Sequence, residues 1–197
     1  MIIIGLTGSI GMGKSAVAAM FIRAGIPLFD ADRAVHQLQG PDGALLPQIE
    51  ARFPGTTGPS GVDRQKLGSV VFGNAEALRV LERIVHPAVA ALRRDFLRRN
   101  RSRPIVVLDI PLLFEKKGWK SVDQILVVSA PAWKQRRRVL ARPGMSYAKF
   151  AKIRKLQLPD AQKRKRADFV ITTGTLRTVT IAEVRQVIAC LTRQTGR

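Results

Sequence analysis

Short apolar runs alternate with amphipathic segments along most of the chain, a pattern that predicts a parallel sheet covered by helices. Five runs have the composition of strands: Ile2 to Thr7, Ile26 to Asp30, Pro104 to Ile110, Gln124 to Ser129 and Phe169 to Thr172. Residues 105–108 are apolar without alternation, as in a central strand buried on both faces. Residues 176–191 carry apolar side chains at helical spacing, which predicts a closing helix that packs on the sheet.

More than seventy residues separate the second and third predicted strands, far more than a simple crossover needs. Val85, Val89, Leu92 and Phe96 recur at steps of four, three and four, so they predict an amphipathic helix with its arginines facing water. Shorter helices before it are suggested by four residues: Asp63, Leu67, Val71 and Leu78. Residues 51–63 are rich in Gly, Pro, Ser and Thr and are predicted to form a loop.

These segments suggest two attachments to one α/β core. We interpret residues 40–102 as a helical insertion for a second substrate, which leaves 1–39 and 103–197 as the core. A second attachment, about 142–166, begins at Arg142-Pro143-Gly144 and continues through a helix bearing Phe150, Ile153 and Leu156. Its basic character and its glycine favour a mobile lid.

The segment GLTGSIGMGKS, residues 5–15, concentrates glycines directly after the first predicted strand. Gly8-x-x-x-x-Gly13-Lys14-Ser15 matches the phosphate-binding pattern, with the strand before it and a predicted helix over 14–24 after it. In such loops backbone N–H groups hold the phosphates, the lysine reaches the β/γ oxygens and the hydroxyl ligates Mg²⁺. A flexible glycine hairpin would need all these features to coincide by chance. We assign contacts with the triphosphate to Gly8, Gly11, Met12, Gly13, Lys14, Ser15 and Ala16.

The charge of the chain is strongly positive, because 34 basic residues outnumber 14 acidic ones and leave +20. Polyanionic partners are the direct inference. No aromatic residues interleave with the basic clusters as single-strand stacking platforms require, and no zinc-finger or RNA-recognition signature is present. We therefore favour a solvated basic surface plus a site for phosphorylated substrates, and expect no nucleic-acid partner. A nucleic-acid-binding ATPase is the alternative.

The single cysteine and the hydropathy pattern bear on location. Cys190 allows no internal disulfide and no cysteine-built zinc site, and its apolar neighbours indicate a core thiol. The glycine-broken run at the start lacks the charge of a secretory signal, and no other stretch is long enough to span a bilayer. We expect a cytoplasmic protein with no membrane contact; the oligomeric state is left open.

The positions of the carboxylates favour a small-molecule kinase among triphosphate-binding proteins. Asn74 and Asn100, the only asparagines, are not followed by the Lys-x-Asp of guanine-nucleotide switches. A kinase needs a carboxylate near the acceptor hydroxyl, an acidic group near Mg²⁺ and cations around the γ-phosphoryl. Asp30 ends the second strand and Asp32 lies two residues past it, so both are expected at the ligand-binding edge of the sheet. We predict that Asp32 accepts the acceptor's proton.

The other carboxylates have structural alternatives. For Asp30, capping a helix that starts at residue 31 is at least as well supported as catalysis. Asp109 ends the buried strand and is predicted to lie near the metal, with a structural carboxylate as the minor alternative. Glu115 is a weaker candidate on the metal side.

Several further motifs, in one order along nearly the whole chain, resemble the dephospho-coenzyme A kinase family. The shared segments are GLTGSIGMGKS, DAD at 30–32, DR at 63–64, LERIVHPAV at 81–89, DIPLLFE at 109–115, QRRRVLAR at 135–142, Gln157 and ADFVI at 167–171. The resemblance implies a three-layer α/β/α P-loop core with a five-stranded parallel sheet, a helical acceptor domain and a lid. It also implies transfer of the ATP γ-phosphate to the ribose 3′-hydroxyl of dephospho-coenzyme A, the last step of coenzyme A synthesis.

Carried over by position, the resemblance assigns roles to individual residues. It implies Asp32 as the catalytic base and Lys14 and Arg142 as cations on the transferred phosphoryl. Its metal-side residues are Ser15 and Asp109, and its acceptor contacts are Thr7, Asp32, Arg64, His86 and Leu113. Without the resemblance, His86 would be a helix-start histidine with no function. Another small-molecule phosphotransferase, such as a nucleoside kinase, is the nearest rival.

Three positions depart from the family pattern. Ala16 stands where many members have threonine, a change of little consequence because Ser15 supplies the metal hydroxyl. Thr173 replaces an asparagine common after AD.VI, which bears on contacts with the adenine. Pro143 stiffens the entrance to the lid and restricts Arg142 to extended angles. We still expect Arg142 to reach the phosphates.

Overall fold

The computed structural model describes residues 1–195, in two compact units. The first unit comprises Met1–Phe29 and the chain from Asn100 onward, and the second comprises Asp30–Arg99. The strands are β1 (Ile2–Thr7), β2 (Leu28–Asp30), β3 (Thr57–Gly58), β4 (Gly61–Val62), β5 (Ile105–Asp109), β6 (Gln124–Ser129) and β7 (Phe169–Thr172). The helices are α1 (Lys14–Arg23), α2 (Ala31–Gln39), α3 (Leu46–Arg52), α4 (Arg64–Val71), α5 (Ala75–Arg99), α6 (Ala132–Leu140), α7 (Tyr147–Lys155), α8 (Asp160–Lys165) and α9 (Arg177–Thr195).

The five-stranded parallel sheet confirms the predicted fold class. Its strand order is β2-β5-β1-β6-β7, and β1 pairs in parallel with both β5 and β6. Strands β1, β6 and β7 have the predicted bounds, whereas β2 begins only at Leu28. The reason is local: the N–H of Ile26 closes a turn onto the carbonyl of Phe21 at 3.1 Å, so it is not available to a strand.

Apolar side chains cover the sheet on both faces. Ile4, Leu6 and Val107 point into one cluster with side chains of α1 and α9, which confirms the predicted closing helix. The intervening residues Val106 and Leu108 are also fully buried, as the unalternating run predicts. The carboxyl ends of the central strands are thereby held at a fixed edge.

The helical unit has its own core, and its longest helix corrects two predictions. Helix α5 runs unbroken through Pro87, although proline removes one backbone hydrogen bond from a helix. Apolar positions on both sides of Pro87 pack into the same cluster, which sustains the helix. Leu78 therefore lies in α5 and not in a separate shorter helix, and His86 lies in mid-helix and not at a helix start.

The segment predicted as a loop, residues 51–63, contains regular structure. Its first two residues finish α3, and β3 and β4 form an antiparallel hairpin. The carboxylate of Glu50 accepts the hydroxyl and N–H of Thr57, at 2.6 and 3.0 Å, and the N–H of Gly55 at 2.6 Å. These bonds, the Thr57 hydroxyl first, lower the pKa of Glu50. A single carboxylate thus organises a stretch whose composition indicates only turns.

The bounds of the helical unit differ from the predicted insertion over 40–102. The compact unit starts at Asp30, because α2 packs against α5 and belongs with it. Within residues 1–195, none of the helices combines the length and the hydropathy needed to cross a bilayer.

Candidate active site

The glycine-rich loop joins β1 to α1 at the carboxyl edge of the sheet. Gly11 and Gly13 have φ of 77° and 90°, left-handed angles that residues with a β-carbon rarely adopt. Gly13 is also the N-cap of α1, whose first N–H groups have no partner within the helix. The loop and the helix start therefore present backbone N–H donors of the kind that bind phosphate.

Lys14 and Asp109, predicted for two different roles, form an ion pair. The Asp109 carboxylate ends β5 beside Leu6 of β1 and is buried, while the Lys14 side chain is 18% exposed. Ser15, the next residue, is exposed on the first turn of α1. The predicted cation and the predicted metal-side groups thus lie together at the loop.

Thr7 and Leu113, two predicted acceptor contacts, lie in the interior. The Thr7 hydroxyl is fully buried and donates to the carbonyl of Pro111 at 3.0 Å. Leu113 is also fully buried, and a β-carbon at Gly5 would lie 3.1 Å from its Cδ2. Both side chains hold the segment after β5 against β1.

Ile10 of the loop is held on both of its backbone polar groups by two glutamines. Its N–H donates to Oε1 of Gln157 at 3.0 Å, and its carbonyl accepts from Nε2 of Gln135 at 2.8 Å. Gln135 lies in α6, before the predicted lid, and Gln157 follows α7 within it. The sequence assigned no role to either residue, although both belong to motifs that it singled out.

The predicted lid, residues 142–166, begins at an exposed Arg142 and is anchored towards its end. The Glu115 carboxylate accepts the N–H of Leu158 at 2.7 Å and lies 2.9 Å from the fully buried ammonium of Lys163. The Ser129 hydroxyl donates to Asp160 at 2.8 Å. Glu115, considered from sequence for the metal side, is thus engaged with the lid.

The electrostatics of Glu115 reflect this engagement. Burial by itself raises the pKa of the carboxyl, but the Lys163 ammonium and the Leu158 N–H outweigh burial and hold the pKa below its ordinary value. Glu115 is therefore a charged partner of Lys163 at neutral pH.

A cavity of about 600 Å³ adjoins these residues and the loop, lined among others by Ser9, Met12 and Asp160.

In the helical unit, the aspartate that ends β2 and the one two residues later have different surroundings. Asp30 is the N-cap of α2 and accepts the N–H of Arg33 at 3.0 Å, which confirms the capping alternative. Asp32 is exposed on the first turn of α2. His36, four residues later on the same face, lies 2.5 Å from the Arg64 guanidinium through Nδ1. His86 is exposed on α5. The sequence analysis did not identify His36 as a candidate site residue, although its spacing of four residues from Asp32 places both on one face of α2.

The donor set suits a metal ion that arrives with phosphates. Ser15 and Asp109 offer one hydroxyl and one carboxylate, and residues 1–195 contain no cluster of three or more His, Cys, Asp or Glu able to hold a metal. Mg²⁺ commonly takes one or two carboxylates, keeps several waters and completes its shell with substrate phosphates. The residues present therefore fit Mg²⁺ as a companion of a bound triphosphate.

Comparisons with known proteins show which family the chain resembles. A family described as dephospho-CoA kinase matches residues 2–177. Among curated proteins, the dephospho-CoA kinase of Novosphingobium aromaticivorans is 63% identical over 191 residues, covering 97% of this chain and 93% of that protein. The dephospho-CoA kinase of Zymomonas mobilis is 50% identical over the full length of both chains.

Solved structures share the fold. A crystal structure from Thermus thermophilus has a TM-score of 0.85 and 35% identity, covering 96% of each chain. Dephospho-CoA kinase from Campylobacter jejuni has a TM-score of 0.71 over 98% of each chain, and at 24% identity it supports the fold alone.

Proposed function

The chain belongs to the dephospho-CoA kinase family, and from this membership we propose which of its residues perform the reaction. The protein is an ATP-dependent phosphotransferase that converts dephospho-CoA to CoA, the final step of CoA biosynthesis. The γ-phosphoryl of ATP passes to the 3′-hydroxyl of the acceptor's ribose. The residue roles that follow are proposals.

On the nucleotide side, the Lys14–Asp109 ion pair carries the proposal. The pair holds a cation and a carboxylate next to the N–H groups of the loop and of the α1 start. We propose that the Lys14 ammonium exchanges its carboxylate partner for the β- and γ-phosphate oxygens when ATP binds. Asp109, released from that pair, and the Ser15 hydroxyl are then the protein groups that would hold Mg²⁺. When bound, Mg²⁺ neutralises charge on the phosphates.

Arg142 is proposed as the second cation on the transferred phosphoryl. Its exposed side chain follows the end of α6, at the start of the predicted lid, so it can reach a phosphate that enters from solvent. Cations in this role stabilise charge that is spread over the phosphoryl oxygens in the transition state. A cytoplasmic location and the use of residues 142–166 as a lid remain part of the same proposal.

On the acceptor side, we propose that Asp32 removes the proton of the 3′-hydroxyl. Asp30 uses its carboxylate to cap α2, whereas the exposed Asp32 carboxylate is accessible to a substrate. Arg64 and His86 are proposed to contact the anionic acceptor, with His36 orienting the Arg64 guanidinium. Thr7 and Leu113 are buried, so we propose that they act through the backbone they support.

Two aspartate variants test the base. We expect Asp32→Asn to lower kcat by about 10² or more while ATP binding is nearly unchanged, because the amide cannot accept the proton. Asp30→Asn is the matched control: it removes the same charge two residues away, and asparagine still caps a helix. Its kcat should stay within about threefold of wild type, given that cap exchange between Asp and Asn is nearly neutral.

ADP release with Mg-ATP and dephospho-CoA gives kcat, and calorimetry gives ATP affinity. Equal rates for Asp32→Asn and the wild-type protein would contradict the role of Asp32. Turnover with a nucleoside but not with dephospho-CoA would contradict the acceptor. Added DNA or RNA should leave the rate unchanged, whereas a severalfold increase without dephospho-CoA would favour a nucleic-acid-dependent ATPase.

A further inference from the structure

Three consecutive carbonyls of the phosphate loop accept hydrogen bonds from side chains outside the loop. Ile10 accepts from Gln135 at 2.8 Å, Gly11 from Arg138 at 3.4 Å, and Met12 from the Thr173 hydroxyl at 2.6 Å. Gln135 and Arg138 belong to α6, and Thr173 directly follows β7. The shortest of the three bonds, and the one adjacent to Gly13, is made by Thr173.

The polar groups of Thr173 are engaged with protein. Its hydroxyl donates to Met12 and accepts from the Arg138 guanidinium at 2.8 Å, and its carbonyl accepts a second Arg138 N–H at 2.7 Å. Its N–H donates to the carbonyl of Ser129 at 2.9 Å, and the residue is 6% exposed. The hydroxyl has committed its one hydrogen to Met12, so it cannot donate a hydrogen bond to a base.

The loop backbone also rests on Thr173. A β-carbon at Gly13 would lie 2.7 Å from the Thr173 hydroxyl oxygen and 3.1 Å from its methyl carbon. Such an approach is closer than real side chains permit, so the absence of a β-carbon at Gly13 lets the loop seat on Thr173. The same glycine holds φ at 90°.

Peptide geometry connects this contact to phosphate binding. In a planar trans peptide the C=O and the following N–H point in opposite directions. A hydrogen bond that fixes the Met12 carbonyl towards Thr173 therefore turns the Gly13 N–H away from Thr173. In a phosphate loop, that N–H is a donor to the triphosphate.

We propose that Thr173, supported by Arg138, is a positioning residue that sets the direction of the Gly13 N–H and acts on the phosphates of ATP, not on its adenine. The proposal rests on the proposed function of the loop as the ATP site. It assigns to Thr173 a role different from the adenine-side role suggested by its place after the ADFVI motif.

Binding of two ligands separates the two roles. ATP carries the base, whereas inorganic tripolyphosphate presents the phosphates alone. Thr173→Val keeps the shape of the side chain and removes the hydroxyl. We expect it to lower the affinity for both ligands by the same factor of about ten, because the Met12 carbonyl loses its buried donor. Thr173→Ser restores the hydroxyl and should bind both ligands within about twofold of wild type, since the donor is the group that matters.

Calorimetry with Mg²⁺ present measures both affinities, and steady-state assays should show a raised KM for ATP with an unchanged KM for dephospho-CoA. A loss confined to ATP, with tripolyphosphate unaffected, would overturn the proposal in favour of a base contact. Unchanged affinities for both would overturn it as well. Should Thr173→Val fail to fold, Thr173→Ala, compared with Thr173→Ser, gives the same readout. Failure of the wild-type protein to bind either ligand would instead refute the proposed ATP site.

Discussion

The buried Lys163–Glu115 pair gives the sharpest stability prediction. The Lys163 side chain is fully buried and its Nζ lies 2.9 Å from Oε1 of Glu115, whose side chain is 16% exposed. The ammonium meets the carboxylate at ion-pair distance without hydrogen-bond alignment, and Oε2 of Glu115 is buried without a hydrogen bond among the described residues. The two groups are therefore held together as an ion pair.

The structure predicts that Glu115→Gln and Lys163→Met reduce the free energy of unfolding by unequal amounts. Glu115→Gln leaves a wholly buried ammonium without its counter-charge, so we expect a loss of about 3–5 kcal/mol in the free energy of unfolding. For a chain of this size that corresponds to roughly 6–20 °C in Tm. Lys163→Met should lose about half as much, because the remaining carboxylate is partly exposed and still accepts the Leu158 N–H.

The double variant Lys163→Met with Glu115→Gln completes the cycle. It leaves no buried charge at this site, so its stability should return to within about 1 kcal/mol of the wild-type protein. Urea unfolding followed by far-UV circular dichroism measures all four proteins. Single-variant losses below about 1 kcal/mol, or a double variant as unstable as the sum of the singles, would refute a charge-based account.

The contribution of the Lys163–Glu115 pair to stability depends on pH, in a direction set by the pKa of Glu115. Because the native pKa of Glu115 is lowered, the pair contributes fully above the ordinary carboxyl pKa and loses its contribution as the pH falls through the native pKa. The stability difference between wild type and Glu115→Gln should therefore be constant from about pH 7 to 5 and shrink below about pH 4.5. A difference that grows on acidification would contradict the assigned shift.

Two further predictions concern the loop. Lys14→Ala should lower kcat by about 10² or more in the ADP-release assay, because the transferred phosphoryl loses a cation. It should also lower Tm, because the buried Asp109 loses its ion pair with Lys14. An unchanged kcat would contradict the proposed role of Lys14 in the reaction. Gln135→Glu should weaken ATP binding about tenfold more than Gln157→Glu, since a carboxylate can still accept the Ile10 N–H but repels its carbonyl. The two variants add the same charge beside the loop, so equal losses in calorimetry would contradict the opposite hydrogen-bonding roles of the two glutamines.

Much of the core architecture was predictable because it depends on local patterns. The predicted bounds of β1, β6 and β7 match the observed ones, because short runs rich in apolar and β-branched residues are a local signal for strands. The phosphate loop was predictable for a similar reason, because its glycines are required by backbone angles that the loop must adopt.

The remaining features depend on contacts between distant parts of the chain. Helix α5 continues through Pro87 because of tertiary packing, which a local reading of proline does not capture. Lys163 is far from Glu115 in sequence, and nothing local distinguishes it from the neighbouring solvated cations. The roles of the predicted catalytic and acceptor-binding residues remain predictions, because they concern substrates.

The supports of the phosphate loop have a consequence for how the protein is made. The loop is complete by residue 15, but the side chains that fix its carbonyls and the Ile10 N–H come much later in the chain, from residues 135, 138, 157 and 173. A nascent chain thus carries the whole motif long before the motif has its shape. Nucleotide binds the loop at full affinity only after β7 has docked, so ATP stabilises complete chains more than chains that are released early from the ribosome.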